Sequence, residues 1–443
     1  MSILTKVSNA LKTAFLKNAE EINLQANVVK RRRKFTPTSL AMTFILAILK
    51  DPDASCENIA GMAVASGIEV SAQAVEQRYS PELVTFFKLL FQSMTQIAVA
   101  SDKALAPILE RFSEVVLIDS STISLPDSEA ENHRGCGGSH GGGKAALKLQ
   151  TELDLRSGRL RCVQIESGRS PDGASDRQHV EQTPGSLRIS DLGYFDISVL
   201  REIDESNAYF LTRVQHSVKI HVDGVKHDLV PWLISREEGV VDCRIELGSS
   251  ERFGCRLIAF RVPEEIANRR RQKHKAHILS KTGRQPTAAS LAACDWEYLV
   301  TNLDKEQLGV EEVIVLYRAR WQIELLFKRW KSHGLIAQMN GRNDVVKMAK
   351  FWIRLCAVLI QHWLTISVCW SPRDFLSLDK VARLIRDFVR EIATGILKTR
   401  GLISILKRFC KTAQATCKLN RRRKKPGTLS LLRNPEILDY VLT

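Results

Sequence analysis

The sequence predicts a mixed α/β fold, with a layer of strands and helices in the middle of the chain framed by helical segments on either side. Three observations carry this. Apolar residues recur every three or four positions through Leu40–Leu49 and Leu83–Ile97, the period of an amphipathic helix. From about residue 112 the pattern changes to short β-branched runs separated by turn residues. From about Glu311 the helical period returns and persists. Strand, hairpin, strand, helix and strand in succession is the order of an α/β layer.

Residues 1–110 therefore read as helical. Val115-Val116-Leu117-Ile118 is a short apolar run ending in Asp119, the pattern of a buried strand with a carboxylate at its C-terminal end. Ala145–Leu155 and Arg159–Glu166 alternate and are joined across Ser157-Gly158, which predicts a hairpin. Leu187–Ser190 is a second strand ending in an acid, Asp191, and Asp196 is placed to cap a helix over Ile197–Glu205. Ala208–Val214 is again strand-like. Short alternating segments such as Val240–Leu247 and Cys255–Val262 fill 215–295, which reads as a β-rich insertion with a basic surface at Arg269–Lys275. Glu297–Asn302 returns to the α/β layer, and one long helix follows from about Glu311 to Ser332. The organisation expected is 1–110 helical, 111–214 with 296–370 as the α/β domain, 215–295 as the insertion and 371–443 as a helical C-terminal region.

The chain has 443 residues, a length suited to several domains, with 65 Lys+Arg against 49 Asp+Glu and a formal charge of +16. Such an excess suits a polyanionic partner, nucleic acid above all. Further basic runs stand at Lys30–Lys34 and Arg421–Lys425. With 44% apolar and 26% charged residues, the composition excludes a disordered chain and a collagen-like fibre. The ten cysteines are too sparse for a disulfide scaffold, and no C-x-x-C occurs, so reduced thiols in a cytoplasmic protein are expected. The N-terminal segment alternates Lys and Glu with apolar residues and lacks the features of a signal peptide. Phe351–Trp370 is strongly apolar but contains Arg354, Gln361 and His362, so a core helix is expected and no membrane partner.

Two motifs fall short. Gly138 and Gly143-Lys144 have the spacing of a phosphate-cradling loop, but Ala145 replaces the hydroxyl residue that would bind Mg²⁺. His133, Cys136 and His140 could supply three zinc ligands, with no fourth evident.

The helix from Glu311 is more informative. Tyr317, Arg320, Glu324 and Lys331 are spaced by three, four and seven, so at about 100° per residue they share an arc of roughly 60°. An apolar stripe of Leu316, Ile323, Leu326, Phe327 and Trp330 lies beside them. The same spacing describes a salt-bridged surface helix, and the seam alone does not separate the two. Asp119 and Asp191 tip the balance, since neighbouring strands can bring their ends together and a helix packed on the sheet can add Glu324. Three converging carboxylates repel unless cations neutralise them, and hard oxygen ligands suit Mg²⁺ or Mn²⁺. Two ions about 3.5–4 Å apart would serve an in-line phosphoryl displacement.

Tyr-x2-Arg-x3-Glu-x6-Lys, met by Tyr317, Arg320, Glu324 and Lys331, resembles the YREK signature of bacterial insertion-sequence DDE transposases. The blocks VVLIDSSTISLP and ISDLGYFD resemble that family's first and second catalytic motifs, in the right order. The resemblance implies a ribonuclease H-like catalytic core interrupted by the insertion, with a helical N-terminal domain that binds transposon ends and a C-terminal part used in dimerisation. It implies Asp119, Asp191 and Glu324 as the catalytic, metal-binding triad, and Tyr317, Arg320 and Lys331 as DNA contacts. It also implies a tryptophan that stacks on a flipped base, for which Trp296 is the candidate and Trp232 the substitute; a core aromatic is the competing role of Trp296. The partners implied are double-stranded DNA, at the element's terminal inverted repeats and at the target, and a second copy of the chain. The activity implied is hydrolysis at the transposon ends followed by 3′-hydroxyl strand transfer, with a hairpin intermediate on resemblance only. A ribonuclease H-like nuclease without strand transfer and a non-catalytic DNA-binding regulator are the alternatives.

Overall fold

The computed structural model describes residues 1–443 except 132, 136–144, 337–340, 371–375, 399–400, 420–425 and 439–443. The glycine-rich loop with Cys136 and His140, and the basic run Arg421–Lys425, lie outside the described residues. Ten strands form among the rest: β1 (Val115–Ser124), β2 (Ala146–Asp154), β3 (Leu160–Ser167), β4 (Leu187–Ser190), β5 (Tyr209–Arg213), β6 (Lys219–Val222), β7 (Val225–Asp228), β8 (Val240–Leu247), β9 (Phe253–Arg261) and β10 (Trp296–Thr301). The chain divides into two compact units. A helical unit comprises Met1–Leu105, Ser120–Ser170 and Ile323–Arg421; a sheet unit comprises Ala106–Asp119, Pro171–Gln322 and Arg422–Thr443.

In the helical unit the N- and C-terminal helices pack together, although the sequence reads as helical stretches at opposite ends of the chain. The helix Asp344–Cys369 lies against Pro37–Lys50, Pro81–Thr95 and Leu378–Leu397, and Ile3–Lys12 meets Leu402–Thr416. The starts of these helices are written in the sequence. Thr36 and Ser39 form a capping box ahead of Pro37, and the Ser80 hydroxyl accepts from the Leu83 N–H ahead of Pro81. Asp344–Cys369 is the one described helix long and apolar enough to cross a membrane, and it is instead the core of this unit. Its buried Arg354 and His362 have partners inside the protein, as burial requires. Arg354 donates to the Pro52 carbonyl and to Asp53, each at 2.8–2.9 Å. His362 bonds through Nε2 to the Gly158 carbonyl at 2.7 Å.

Gly158 is the turn of the β2–β3 hairpin, which pairs antiparallel as expected. Its φ of +78° suits glycine, and a Cβ there would come within 2.5 Å of the Trp370 ring. That indole donates its N–H to the Leu155 carbonyl at 3.0 Å, so the hairpin end is seated on the C-terminal turn of the apolar helix.

In the sheet unit the order is β1-β4-β5-β10-β9-β8-β6-β7. β1–β4 and β4–β5 are parallel, while every pair from β5–β10 outward is antiparallel. The helix Ile197–Glu205 makes the β4–β5 crossover, with Asp196 capping it by accepting from the Ser198 N–H at 2.8 Å. The strands of the insertion do not form a separate layer: β9 pairs with β10 along its length and so continues the sheet. The side chains of Phe210, Leu257, Trp232, Trp296 and Val300 share one buried core.

Three expectations need adjustment. β1 runs on to Ser124, so Asp119 lies inside the strand and not at its end. The long helix is two helices, Val310–Ala319 and Trp321–Ser332, joined at Arg320, whose N–H bonds back to the Tyr317 carbonyl in a tightened turn. The insertion is not uniformly β-rich, because the basic stretch forms a 19-residue helix, Glu264–Thr282. Of the nine described cysteines none is in a disulfide; Cys255, Cys356, Cys369 and Cys417 are buried and the others partly so.

Burial presses the His362 pKa down to about 4, against the bond to the Gly158 carbonyl, which raises it. Between about pH 6.5 and 4 the unfolded chain takes up a proton here that the native state refuses. Stability is expected to fall by roughly 3 kcal/mol across that window, and His362→Gln, which can keep the bond to Gly158, should flatten this part of the profile in urea titrations. Gly158→Ala is expected to destabilise by about 1–3 kcal/mol through backbone strain alone, and by more because of Trp370.

Candidate active site at the β1–β4 pair

β1 and β4 pair in parallel with Val115 opposite Leu187, Val116 opposite Arg188 and Leu117 opposite Ile189. Two residues beyond the last of these pairs stand Asp119, within β1, and Asp191, the residue after β4. The register therefore brings the two acids level, and the two-residue period of a strand gives them the same face. β1 is apolar and buried on both faces through Val115–Ile118, so the register is held from β4, where Leu187 and Ile189 alternate with Arg188, which donates to the Gln178 carbonyl at 2.9 Å; a slip by one residue would exchange the two sets. Asp191 directly follows β4 in extended backbone, and its carboxylate accepts from the Leu192 N–H at 2.8 Å, which fixes its direction.

The helix Val310–Ala319 and the residue after it supply partners to both acids. The buried Tyr317 lies with its hydroxyl 3.4 Å from Asp191 Oδ1. Arg320, also buried, places a guanidinium nitrogen 3.9 Å from Asp119 Oδ2 and lies over the Tyr317 ring at 5.9 Å. Burial, with the Asp191 charge adding to it, raises the tyrosine pKa well above its ordinary value, although Arg213 and Arg320 pull the other way. The phenol thus stays protonated and donates. Arg213, from β5, covers the same ring at 5.7 Å and is held by Glu297 of β10 at 2.8 Å. Burial works against the Arg213 charge, but Glu297, Tyr317 and Asp191 outweigh it and its pKa is raised. Glu297 also pairs with Arg270. Nothing in the periodicity distinguishes Arg213 and Glu297 from ordinary strand residues; they become visible only once β5 and β10 are adjacent.

Of the residues singled out in the sequence, the structure brings Asp119, Asp191, Tyr317 and Arg320 together. Among the described residues no three His, Cys, Asp or Glu side chains are gathered closely enough to hold a metal ion. Glu324 follows Arg320 by four residues and stands in the first turn of Trp321–Ser332, where the helix dipole favours an acid; Lys331 stands in the last turn, where it favours a cation. Trp296 and Trp232 are core residues, 4% and 7% exposed, with Arg261 and Arg236 over their rings at 5.1 and 4.3 Å. The donor set fits a hard divalent cation: two level carboxylates, one within β1 and one directly after β4, offer oxygen ligands and no sulfur or imidazole.

Two acids brought level by parallel pairing in a mixed sheet, with an arginine and a tyrosine turned toward them, are an arrangement that metal-assisted phosphoryl transfer can use. The sequence comparisons narrow this. Residues 110–360, more than half of the chain, match the transposase DDE domain, and the chain belongs to that family. It is an enzyme of DNA transposition, ribonuclease H-like in fold and dependent on a divalent metal. The chain is 25% identical to the transposase for insertion sequence element IS231B of Bacillus thuringiensis subsp. berliner, over 93% of this chain and 91% of that one. It is 24% identical to the transposase for insertion sequence element IS1151 of Clostridium perfringens, over 70% and 68%. It is 27% identical to the putative transposase InsL for insertion sequence element IS186A of Escherichia coli K12, over 58% and 68%.

Trp296→Ala is expected to lower unfolding stability by about 3–5 kcal/mol, the ordinary result of emptying a core aromatic site. A residue whose work was base stacking alone would leave a DNA-free melting curve unmoved, so calorimetry without DNA separates the roles.

Proposed function

We propose that this chain is the transposase of a bacterial insertion sequence, that it cuts the element's terminal inverted repeats by hydrolysis, and that it joins the freed 3′-hydroxyl to target DNA. In the first reaction water attacks a phosphodiester at the element's end, and the departing oxygen becomes the 3′-hydroxyl of that end. In the second, this hydroxyl attacks a target phosphodiester, forming one P–O bond as another breaks. Both can use a single site, since each is an in-line displacement at phosphorus.

Asp119, Asp191 and Glu324 are the residues that would hold magnesium or manganese, two ions in this reading. When bound, the cations supply charge stabilisation to the attacking and leaving oxygens. Asp119 and Asp191 contribute fixed direction, each backed by a neighbour from the Tyr317–Arg320 segment. Glu324 enters through its place in the motif order, as the acid four residues after Arg320. Arg320 would grip a phosphate beside the scissile one with its fork, and Lys331 would act as a point charge on another. Tyr317 would hold Asp191 in place and line the DNA path. Trp296 is left to the core. The protein would act as a homodimer on paired ends in the bacterial cytoplasm.

The observation that carries this reading is the β1–β4 register with Tyr317 and Arg320 upon it, in a chain of this family. The test is incubation of the protein with Mg²⁺ and DNA bearing the element's ends. Cutting followed by joining is the expected result; cutting alone would indicate a nuclease and binding alone a regulator. Glu324→Gln is expected to lower cleavage by at least about 10³-fold, a loss of roughly 4 kcal/mol of transition-state stabilisation, while end binding in gel shifts changes by less than about threefold. Cleavage by that variant at the wild-type rate would remove Glu324 from the site.

A further inference from the structure

The helix Glu264–Thr282 has no role in the site described above. Ala267 is its only buried residue. Its apolar side chains do not gather on one side, so it is not a helix held down by an amphipathic face. Instead it is tied at one end by its first arginines. Arg270 pairs with Glu297 and donates to the Trp296 carbonyl at 3.3 Å; Arg271 reaches Asp295 and, at 2.6 Å, Glu264. Arg269 pairs with Glu265 at 2.7 Å.

Beyond Arg271 the balance of charge changes. Residues 272–294 contain no Asp or Glu, but include Lys273, Lys275, Lys281 and Arg284. The three lysines are exposed and have no acidic partner among the described residues. Like charges crowded on one helix destabilise it, and here nothing within the segment offsets them. Arg269, Lys273, His277 and Lys281 follow one another at four-residue steps, about 6 Å apart along the axis. The row spans about 18 Å, and duplex DNA carries one charge per roughly 1.7 Å of its axis.

We propose that the exposed face of Glu264–Thr282 is a docking surface for the phosphate backbone of double-stranded DNA, independent of base sequence. This rests on the reading of the chain as an enzyme that acts on DNA. The anchored first half sets the direction of the helix from the start of β10, and the lysines of the second half meet phosphates as point charges. The occupant is a duplex because the complementary charge must be both dense and regularly spaced along a length comparable to the helix.

The test uses the full-length protein with Lys273, Lys275 and Lys281 all changed to Gln, a residue that keeps helix propensity. Binding is measured by fluorescence anisotropy without Mg²⁺ across a salt series, on a duplex of arbitrary sequence and on one carrying the element's ends. The expected result is a log–log salt slope shallower by roughly 2–3, about 0.9 for each lost phosphate contact, with equal change on both duplexes. The corresponding triple Lys→Arg variant should retain the wild-type slope. An unchanged slope in the Gln variant, with wild-type binding intact, overturns the proposal alone. A change confined to the end-bearing duplex overturns its independence of sequence. Failure of the wild-type protein to bind either duplex overturns the proposal together with the reading beneath it.

Discussion

The parallel pairing of β1 with β4 is the constraint on which the placing of Asp119 and Asp191 depends. Both strands are buried through their paired residues, and the register is held on β4 by Leu187 and Ile189 alternating with Arg188, which is tied to Gln178, and not by the acids themselves. Asp119 and Asp191 are thus brought level by the packing and hydrogen bonding of their neighbours. A carboxylate pair would not choose this arrangement, since like charges side by side raise one another's free energy. The fold imposes it, which is how a protein keeps a charged site ready for a cation and a phosphate.

That imposed arrangement is buffered by a second layer of charge. Tyr317 stays protonated beside Asp191 because it is buried, and Arg320 offsets part of the charge at Asp119. Behind them Arg213 is held over the tyrosine ring by Glu297, which also holds Arg270. Glu297 therefore connects two jobs: it supports the wall of the acidic pair, and it anchors the basic helix Glu264–Thr282. Glu297 is the buried member of this network, and removing both its arginine partners would leave its charge uncompensated, while the arginines keep access to solvent.

Much of this was legible in the sequence wherever burial leaves a period. Strands β4, β5, β8, β9 and β10 fall within a residue or two of the segments read from alternation and apolar runs, and Asp196 caps the helix it precedes. The polar residues of Phe351–Trp370 marked a core helix because Arg354 and His362 needed partners inside the protein, and they have them. What stayed hidden has physical causes. Glu264–Thr282 leaves no helical stripe because it buries almost nothing, so periodicity is silent about it. The break at Arg320 does not interrupt the apolar spacing, because its backbone remains helical on both sides. The packing of the first helices against the last depends on contacts between residues hundreds of positions apart, which no local pattern encodes. Arg213 and Glu297 belong to the same class, since their importance follows from the adjacency of β5 and β10.

The insertion then acquires a physical meaning. Because β9 pairs with β10, and β10 pairs with β5, the inserted strands are hydrogen-bonded into the same sheet that carries Asp191. A helix tied to the first residues of β10 through Arg270 and Arg271 is therefore held in fixed relation to the acidic pair by an unbroken ladder of backbone bonds. Sheets transmit position well, since each strand is fixed by bonds to its neighbours and by buried side chains. The helix bearing Lys273, Lys275 and Lys281 and the two level acids are thus connected through one sheet. In the reading proposed above, that connection lets a single polyanion be held by its backbone at the helix while a bond within it is presented at the acids.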